Sequence, residues 1–318
     1  MIYCAVVFSI VILLVTFTLT SYYYYITLRR IKRRKEPRTL YVCLIPASLG
    51  FLLPMVYLFN PIMFSLMIIY AGIYAFSALI VIAIKGIICK EKVIFHELVF
   101  HHESKVYKVR VLKLQAPYAY SKIFKGEIYV TAKLKEILNP EELNSVVLHE
   151  IGHLKSRMLK FLSALVEPFW LMILPFSVAS LTYSLGRTIV EFNLDYALAF
   201  IFTLTILYSA GILVTIVSWL YEHQADLYAV KRINPEIFAK ALVKHVACLR
   251  LKELCNVKCL EHITPPKIKE ITFTDIAKAL AKTFLSLPLT IKDLMKRQTY
   301  QTHPPLHLRL YVILHVNV

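Results

Sequence analysis

Residues 145–155 read Ser145-Val146-Val147-Leu148-His149-Glu150-Ile151-Gly152-His153-Leu154-Lys155, and the reading of the whole chain turns on this stretch. On a helix, positions i and i+4 share a face, so His149 and His153 can bring two imidazoles to one metal ion. Glu150 follows the first histidine, where its carboxylate can take the proton of an attacking water made more acidic by zinc. The bare His-Glu-x-x-His pattern arises by chance in many chains, so its flanks carry weight. Val146, Val147, Leu148 and Ile151 give the segment an apolar helical face. The helix start is marked by Asn139 as N-cap, Pro140 at the first helical position, and Glu141 and Glu142 in the first turn.

A third ligand is expected in Trp219-Leu220-Tyr221-Glu222-His223-Gln224-Ala225-Asp226. Glu222 and Asp226 are four apart and share a face. One carboxylate can bind the metal while the other accepts the free N–H of a ligand imidazole. Glu222 is taken as the ligand and Asp226 as the support. His223 is the competing ligand, turned about 100° around the helix from Glu222. Without the histidine pair, a solvated acidic pair would be the better reading.

The composition bounds the class. The chain has 318 residues, of which 58% are hydrophobic, and a mean hydropathy of +0.61. Five stretches, at about 3–26, 40–59, 62–84, 161–183 and 197–220, are long and apolar enough to cross roughly 30 Å of hydrocarbon. Asn60-Pro61 reads as the turn joining the second and third. The first reads as retained, because it lacks a small-residue cleavage site and ends in tyrosines 22 to 25. Glu167 falls in the fourth, where it either lines a polar chamber or reaches the interface. The net charge of +17 concentrates after the first span and at about 85–160 and 231–309. By the positive-inside rule the N-terminus is outside, and both halves of the metal site face the cytoplasm. The localisation expected is therefore a multi-pass protein of the cell membrane. No aromatic-interleaved basic stripe is present, so nucleic acid is not expected as a partner. The six cysteines form no four-ligand zinc pattern and suit a reduced cytosolic setting.

The organisation expected is a membrane region over 1–92 with three spans, and a first part of a peptidase domain over 93–158. A membrane hairpin follows over 159–220, then a second part of the domain over 221–318. In 93–138 the alternation of residues 107–111 and the β-prone run 127–131 read as strands. The run 127–131 is the expected sheet edge, where substrate would bind as an added strand. Residues 234–236 cap a helix to about 254, and a basic amphipathic region follows at 271–298. The fold class expected is an α-helical polytopic membrane protein with a cytoplasmic α+β zincin-like metallopeptidase domain.

Together these features resemble the HtpX-type membrane zinc metallopeptidases, relatives of the CaaX prenyl proteases. The resemblance runs from about Lys108 to Asp226 and takes in the C-terminal His303-Pro304-Pro305-Leu306-His307-Leu308-Arg309. It implies one Zn2+ per chain held by His149, His153 and Glu222, with Glu150 as base. It implies cleavage of membrane-associated or misfolded proteins at the cytoplasmic face, with a lipid bilayer and protein or peptide substrates as partners; the oligomeric state stays open. It further suggests that His303 and Arg309 approach the zinc and help hold substrate or the oxyanion. Tyr118 departs from the pattern, standing where the family's turn carries Asn. Other readings are weighed against this one. A BlaR-like sensor protease would need a larger outside domain, and a site-2-type protease would need an Asp-Gly pair in a later span. A metal transporter would need ionisable residues in several spans, and a non-catalytic scaffold would have no need of Glu150. Residues 96–102, rich in histidine, read as a strand rather than a ligand set. His245, His262 and His315 stand alone and carry no signal.

Overall fold

The computed structural model describes residues 2–32, 94–114, 116–122, 126–155, 181, 185–192, 194–251, 260, 263–266, 268–285 and 303–315. Two alternating segments, β1 (Ile94–His102) and β2 (Lys105–Leu112), form an antiparallel hairpin. Its two turn residues, Glu103 and Ser104, have φ of 47° and 57°, the mirror-image turn that follows strand twist. Glu103 then ties the hairpin tip to Lys155 and, at 2.6 Å, to Arg232. β3 (Ala119–Lys122) and β4 (Glu127–Thr131) complete a mixed sheet of order β1-β2-β4-β3, with β4 parallel to β2 and antiparallel to β3.

Thr131 ends β4 and caps α2 (Ala132–Ile137), accepting the Leu134 N–H at 3.3 Å. The next helix, α3 (Pro140–Lys155), opens with a reciprocal cap. Glu142 N–H donates to Asn139 Oδ1 at 2.8 Å, and Asn139 N–H donates to Glu142 Oε2 at 3.0 Å. Such a cap stabilises a helix start by about 1 kcal/mol. Lys244 of α5 (Pro235–Leu251) donates to the same Glu142 oxygen at 2.8 Å, both side chains being buried. The start of α3 is thereby held against a second helix by a buried charge pair. α4 (Leu194–Val230) packs along α3, and α6 (Phe273–Leu285) and α7 (Leu306–His315) close the arrangement. One core joins Val109, Ile128 and Val130 of the sheet to Val147 and Ile151 of α3, Ile216 and Trp219 of α4, Phe238 of α5 and Val312 of α7.

The expected polytopic membrane architecture is corrected here. Among the described residues, no helix is long and apolar enough to cross a membrane, and the fold is an α+β domain with a mixed sheet. The stretch 3–26 lies in α1 (Ile2–Lys32) and the stretch 197–220 lies in α4. The stretches 40–59, 62–84 and, apart from residue 181, 161–183 lie outside the described residues, as does Glu167. The physical reason is that hydropathy counts apolar side chains without saying what they pack on. α1 lies against α4, and its buried side is largely polar: Thr16, Thr20, Ser21, Tyr24 and Thr27, with Leu28 and Ile31. α4 spends Ile212, Ile216, Trp219 and Leu220 on the domain core.

Two smaller expectations also change. Cys248 is disulfide-bonded, where reduced thiols were expected. β4 is not the sheet edge: it is paired on both sides, and β3 is the outer strand. Ile128, Tyr129 and Val130 are buried, as residues of an interior strand are.

Candidate metal centre

Two helix faces meet to form the site. α3 brings His149, Glu150 and His153, all buried, and α4 brings Glu222, His223 and Asp226, also buried. The helices approach closely because residue 152 is glycine. A Cβ there would stand 2.9 Å from Ala225 Cα and 2.9 Å from Tyr228 Cβ. Any larger side chain pushes the two helices apart, and with them the donors they carry. Glycine inside a strongly capped helix is the sequence signal of such a close approach.

His149 Nε2 and His153 Nε2 lie 3.1 Å apart. Glu222 Oε2 is 3.6 Å from His149 Nε2, and Oε1 is 3.4 Å from His153 Nε2. The three residues form one group that could hold a metal ion, their ligand atoms all within 4.8 Å of one another. A tetrahedral zinc with ligands at ~2.0–2.1 Å places its donors roughly 3.3 Å apart. The observed triangle fits that size, and two imidazoles with one carboxylate are a donor set suited to zinc.

The electrostatics point the same way. Burial alone would lower the His149 pKa, but Asp226 and Glu222 outweigh it and raise it to about 9. Burial would likewise raise Glu222, but His303, His153 and His149 hold it well below the usual carboxylate range. The pocket thus demands positive charge at the meeting point of the imidazoles, a demand that a divalent cation meets.

Behind the donors, His149 Nδ1 lies 3.0 Å from Asp226 Oδ1. A proton on Nδ1 leaves Nε2 bare and aimed at the metal position. Asp226 is fully buried; burial would raise its pKa, but Arg309 and the neighbouring imidazoles hold it well below the usual range. Arg309 donates from Nε to Asp226 Oδ2 at 3.0 Å and from a terminal nitrogen to Oδ1 at 2.6 Å, a two-pronged contact. It also stands 3.5 Å from Glu222. Arg309 thus contacts both carboxylates of the site. His303 is different: its side chain keeps 35% exposure while Nδ1 lies 2.7 Å from Glu222 Oε2. His223 turns away from the donors and pairs with the Tyr24 hydroxyl of α1.

Three further residues were invisible in the sequence. Tyr221 packs at a tilt against the His153 ring, 4.2 Å between centroids. Tyr24 reaches the site from a helix far away in the chain. His245 Nε2 pairs with the Pro117 carbonyl at 2.7 Å, fastening α5 to the segment that enters β3. None belongs to a local spacing pattern, so no periodicity could have pointed to them.

The sequence model of peptidase family M48 matches residues 88–317. No curated protein and no solved structure matches the chain. The chain belongs to peptidase family M48.

Proposed function

We propose that this M48 peptidase is a zinc-dependent endopeptidase of the HtpX type, cleaving extended segments of misfolded or membrane-associated proteins. The observation that supports the reading is the convergence of His149, His153 and Glu222, with Glu150 one residue along the same helix. Bound there, zinc would polarise the scissile carbonyl and make the attacking water more acidic. Glu150 takes the proton of that water and returns it to the leaving amine. Asp226, locked by Arg309, holds His149 in the tautomer that leaves Nε2 free. His303, partly open to solvent, is placed to donate to a substrate carbonyl.

The outer strand β3 runs beside α3 and gives extended substrate a place to bind. Thr131 N–H donates to the Tyr118 carbonyl at 2.9 Å, and Ala119 pairs with Val130. In the antiparallel alternation, Ala119 and Ser121 then turn their backbone groups away from β4, toward an added strand. Main-chain pairing of that kind suits many sequences and reads few side chains. The same reading puts the site on the cytoplasmic side, near an anionic lipid surface that a net charge of +17 would favour.

The test is the metal content of purified full-length protein, with cleavage of an unfolded protein by wild type and Glu150→Gln. One zinc per chain, cleavage by wild type and none by the variant is the expected result. Zinc-free wild type, or equal cleavage by both, would overturn the proposal.

A further inference from the structure

α1 lies ahead of the segment that the family shares, yet it reaches the support of the metal centre. Tyr24 is wholly buried, and its hydroxyl pairs with His223 Nε2. Its ring packs edge-on against Trp219 at 5.4 Å between centroids and at a tilt against His223 at 5.7 Å. On its other side, His223 Nδ1 lies 3.7 Å from Asp226 Oδ2. Asp226 in turn lies 3.0 Å from His149 Nδ1. Four side chains from three helices thus run in line from α1 to a metal donor.

We propose that Tyr24 is a positioning residue of the metal centre: its hydroxyl fixes the tautomer of His223, which braces Asp226 and through it His149. The inference rests on the metal-centre reading above and extends it to a helix outside the shared family segment.

A tyrosine hydroxyl has one proton to donate, and burial together with the Asp226 charge pushes the Tyr24 pKa up. The His223 ring sits between the Tyr24 hydroxyl on its Nε2 side and the Asp226 carboxylate on its Nδ1 side, and the carboxylate favours an N–H facing it. Donation from Tyr24 to Nε2 puts the ring proton on Nδ1, the nitrogen facing Asp226. The carboxylate then meets the positive edge of an N–H dipole. Without the hydroxyl, the other tautomer becomes available and turns a bare lone pair toward a buried carboxylate. Asp226 would be less firmly held, and the His149 orientation with it. The ring of Tyr24 fills space beside Trp219, but only the hydroxyl sets the tautomer, so the two roles separate in Tyr24→Phe.

The experiment uses full-length protein and three readouts. Ring-nitrogen NMR shifts of His223 in zinc-free protein report the tautomer directly. Wild type should carry the proton on Nδ1, and Tyr24→Phe should lose that preference. Zinc affinity, measured by chelator competition, should fall about tenfold in Tyr24→Phe, the low end of the range for residues that orient ligands. In a His223→Phe background the Tyr24→Phe change should be silent, because the hydroxyl then has nothing to direct. A proton on Nε2 in the wild type, or Tyr24→Phe affinity within twofold of wild type, would overturn the proposal. Should Tyr24→Phe not fold, the wild-type tautomer and the affinity of His223→Phe still decide it. Wild type that binds no zinc would overturn the metal-centre reading along with this one; normal wild-type binding with an unaffected variant overturns this one alone.

Discussion

The helix pair α3/α4 and the strand pair β3/β4 flank the same site, and they were legible to different degrees. In the helices, His149 and His153 lie within one turn, as do Glu222 and Asp226, so each pair declares its common face by spacing alone. In the sheet, the strand that ends up outermost depends on which segments pair across the fold. The run Glu127–Thr131 has the β-branched and aromatic character of a strand, and that character marks it as an interior one. The real edge, Ala119–Lys122, is short, polar and ends in lysine, as protected edges tend to be. Local periodicity reports the face of an element; it does not report that element's neighbours.

The helix side of the comparison faces the harshest test. Glu150→Gln keeps the size of the side chain and removes the base. Cleavage should fall ~10²–10⁴-fold or more while zinc content stays at the wild-type level. A variant that keeps more than half of the wild-type rate would break the assignment of Glu150. Next in size is Glu222→Ala against His223→Ala. Removing a donor should weaken zinc binding by more than the ~10–100-fold typical of an outer residue. His223→Ala should stay near tenfold. Equal zinc retention by Glu222→Ala and wild type would return the ligand role to His223.

The remaining differences between expectation and structure share one physical cause. Glu222 could be preferred over His223 because a rotation of ~100° on one helix separates them. The reciprocal cap of Asn139 and Glu142 was half legible, since Asn139 and the first-turn acids stand together in sequence. The third partner of that cap, Lys244, comes from about a hundred residues away, and no local pattern names it. The same holds for Tyr24 on His223, and for Gly152 against Ala225 and Tyr228. The two expected spans that fall among the described residues were misread for a related reason. The apolar run of α4 spends Ile212, Ile216, Trp219 and Leu220 on the core, whereas α1 meets α4 through a largely polar side and leaves Val7, Ile10, Leu14 and Leu19 exposed, a division that hydropathy alone does not report. Arg309 was placed near the site by resemblance, but only the fold shows that its guanidinium contacts Asp226.

His245 sharpens the contrast, because it carried no sequence signal and yet fastens the entry to the edge strand. Burial lowers its pKa from 6.5 to about 4. The sign follows from proton binding. Between pH 6.5 and 4 the unfolded chain takes up a proton that the folded protein refuses, so stability falls as the pH falls through that window. Below about 4 both states are protonated and this contribution levels off. The full shift corresponds to at most on the order of 3 kcal/mol, less to the extent that the half-buried ring meets solvent. Denaturant titrations from pH 7 to 4 should show this loss in wild type and a flatter profile in His245→Gln. Superimposable profiles would remove His245 from the account of the edge.

The smallest expected effect bears most directly on the comparison, because it asks whether β3 and not β4 receives substrate. The register places Ser121 opposite Ile128, and the bond from Thr131 N–H to the Tyr118 carbonyl fixes the alternation. The Ser121 N–H therefore points outward, and Ser121→Pro removes it without taking a bond from the sheet. One main-chain hydrogen bond to substrate is worth about 1 kcal/mol, so turnover of an unfolded substrate should fall roughly five- to tenfold. Zinc content and thermal stability should stay near wild type. Val130→Pro behaves differently, since Val130 sits inside the sheet between two paired neighbours. It should lose folded protein before it loses any specific step. If Ser121→Pro cleaves as fast as wild type, substrate does not add to β3. If Val130→Pro folds normally and is slow, the outward edge belongs to β4 after all, and the strand order on which the contrast rests is wrong.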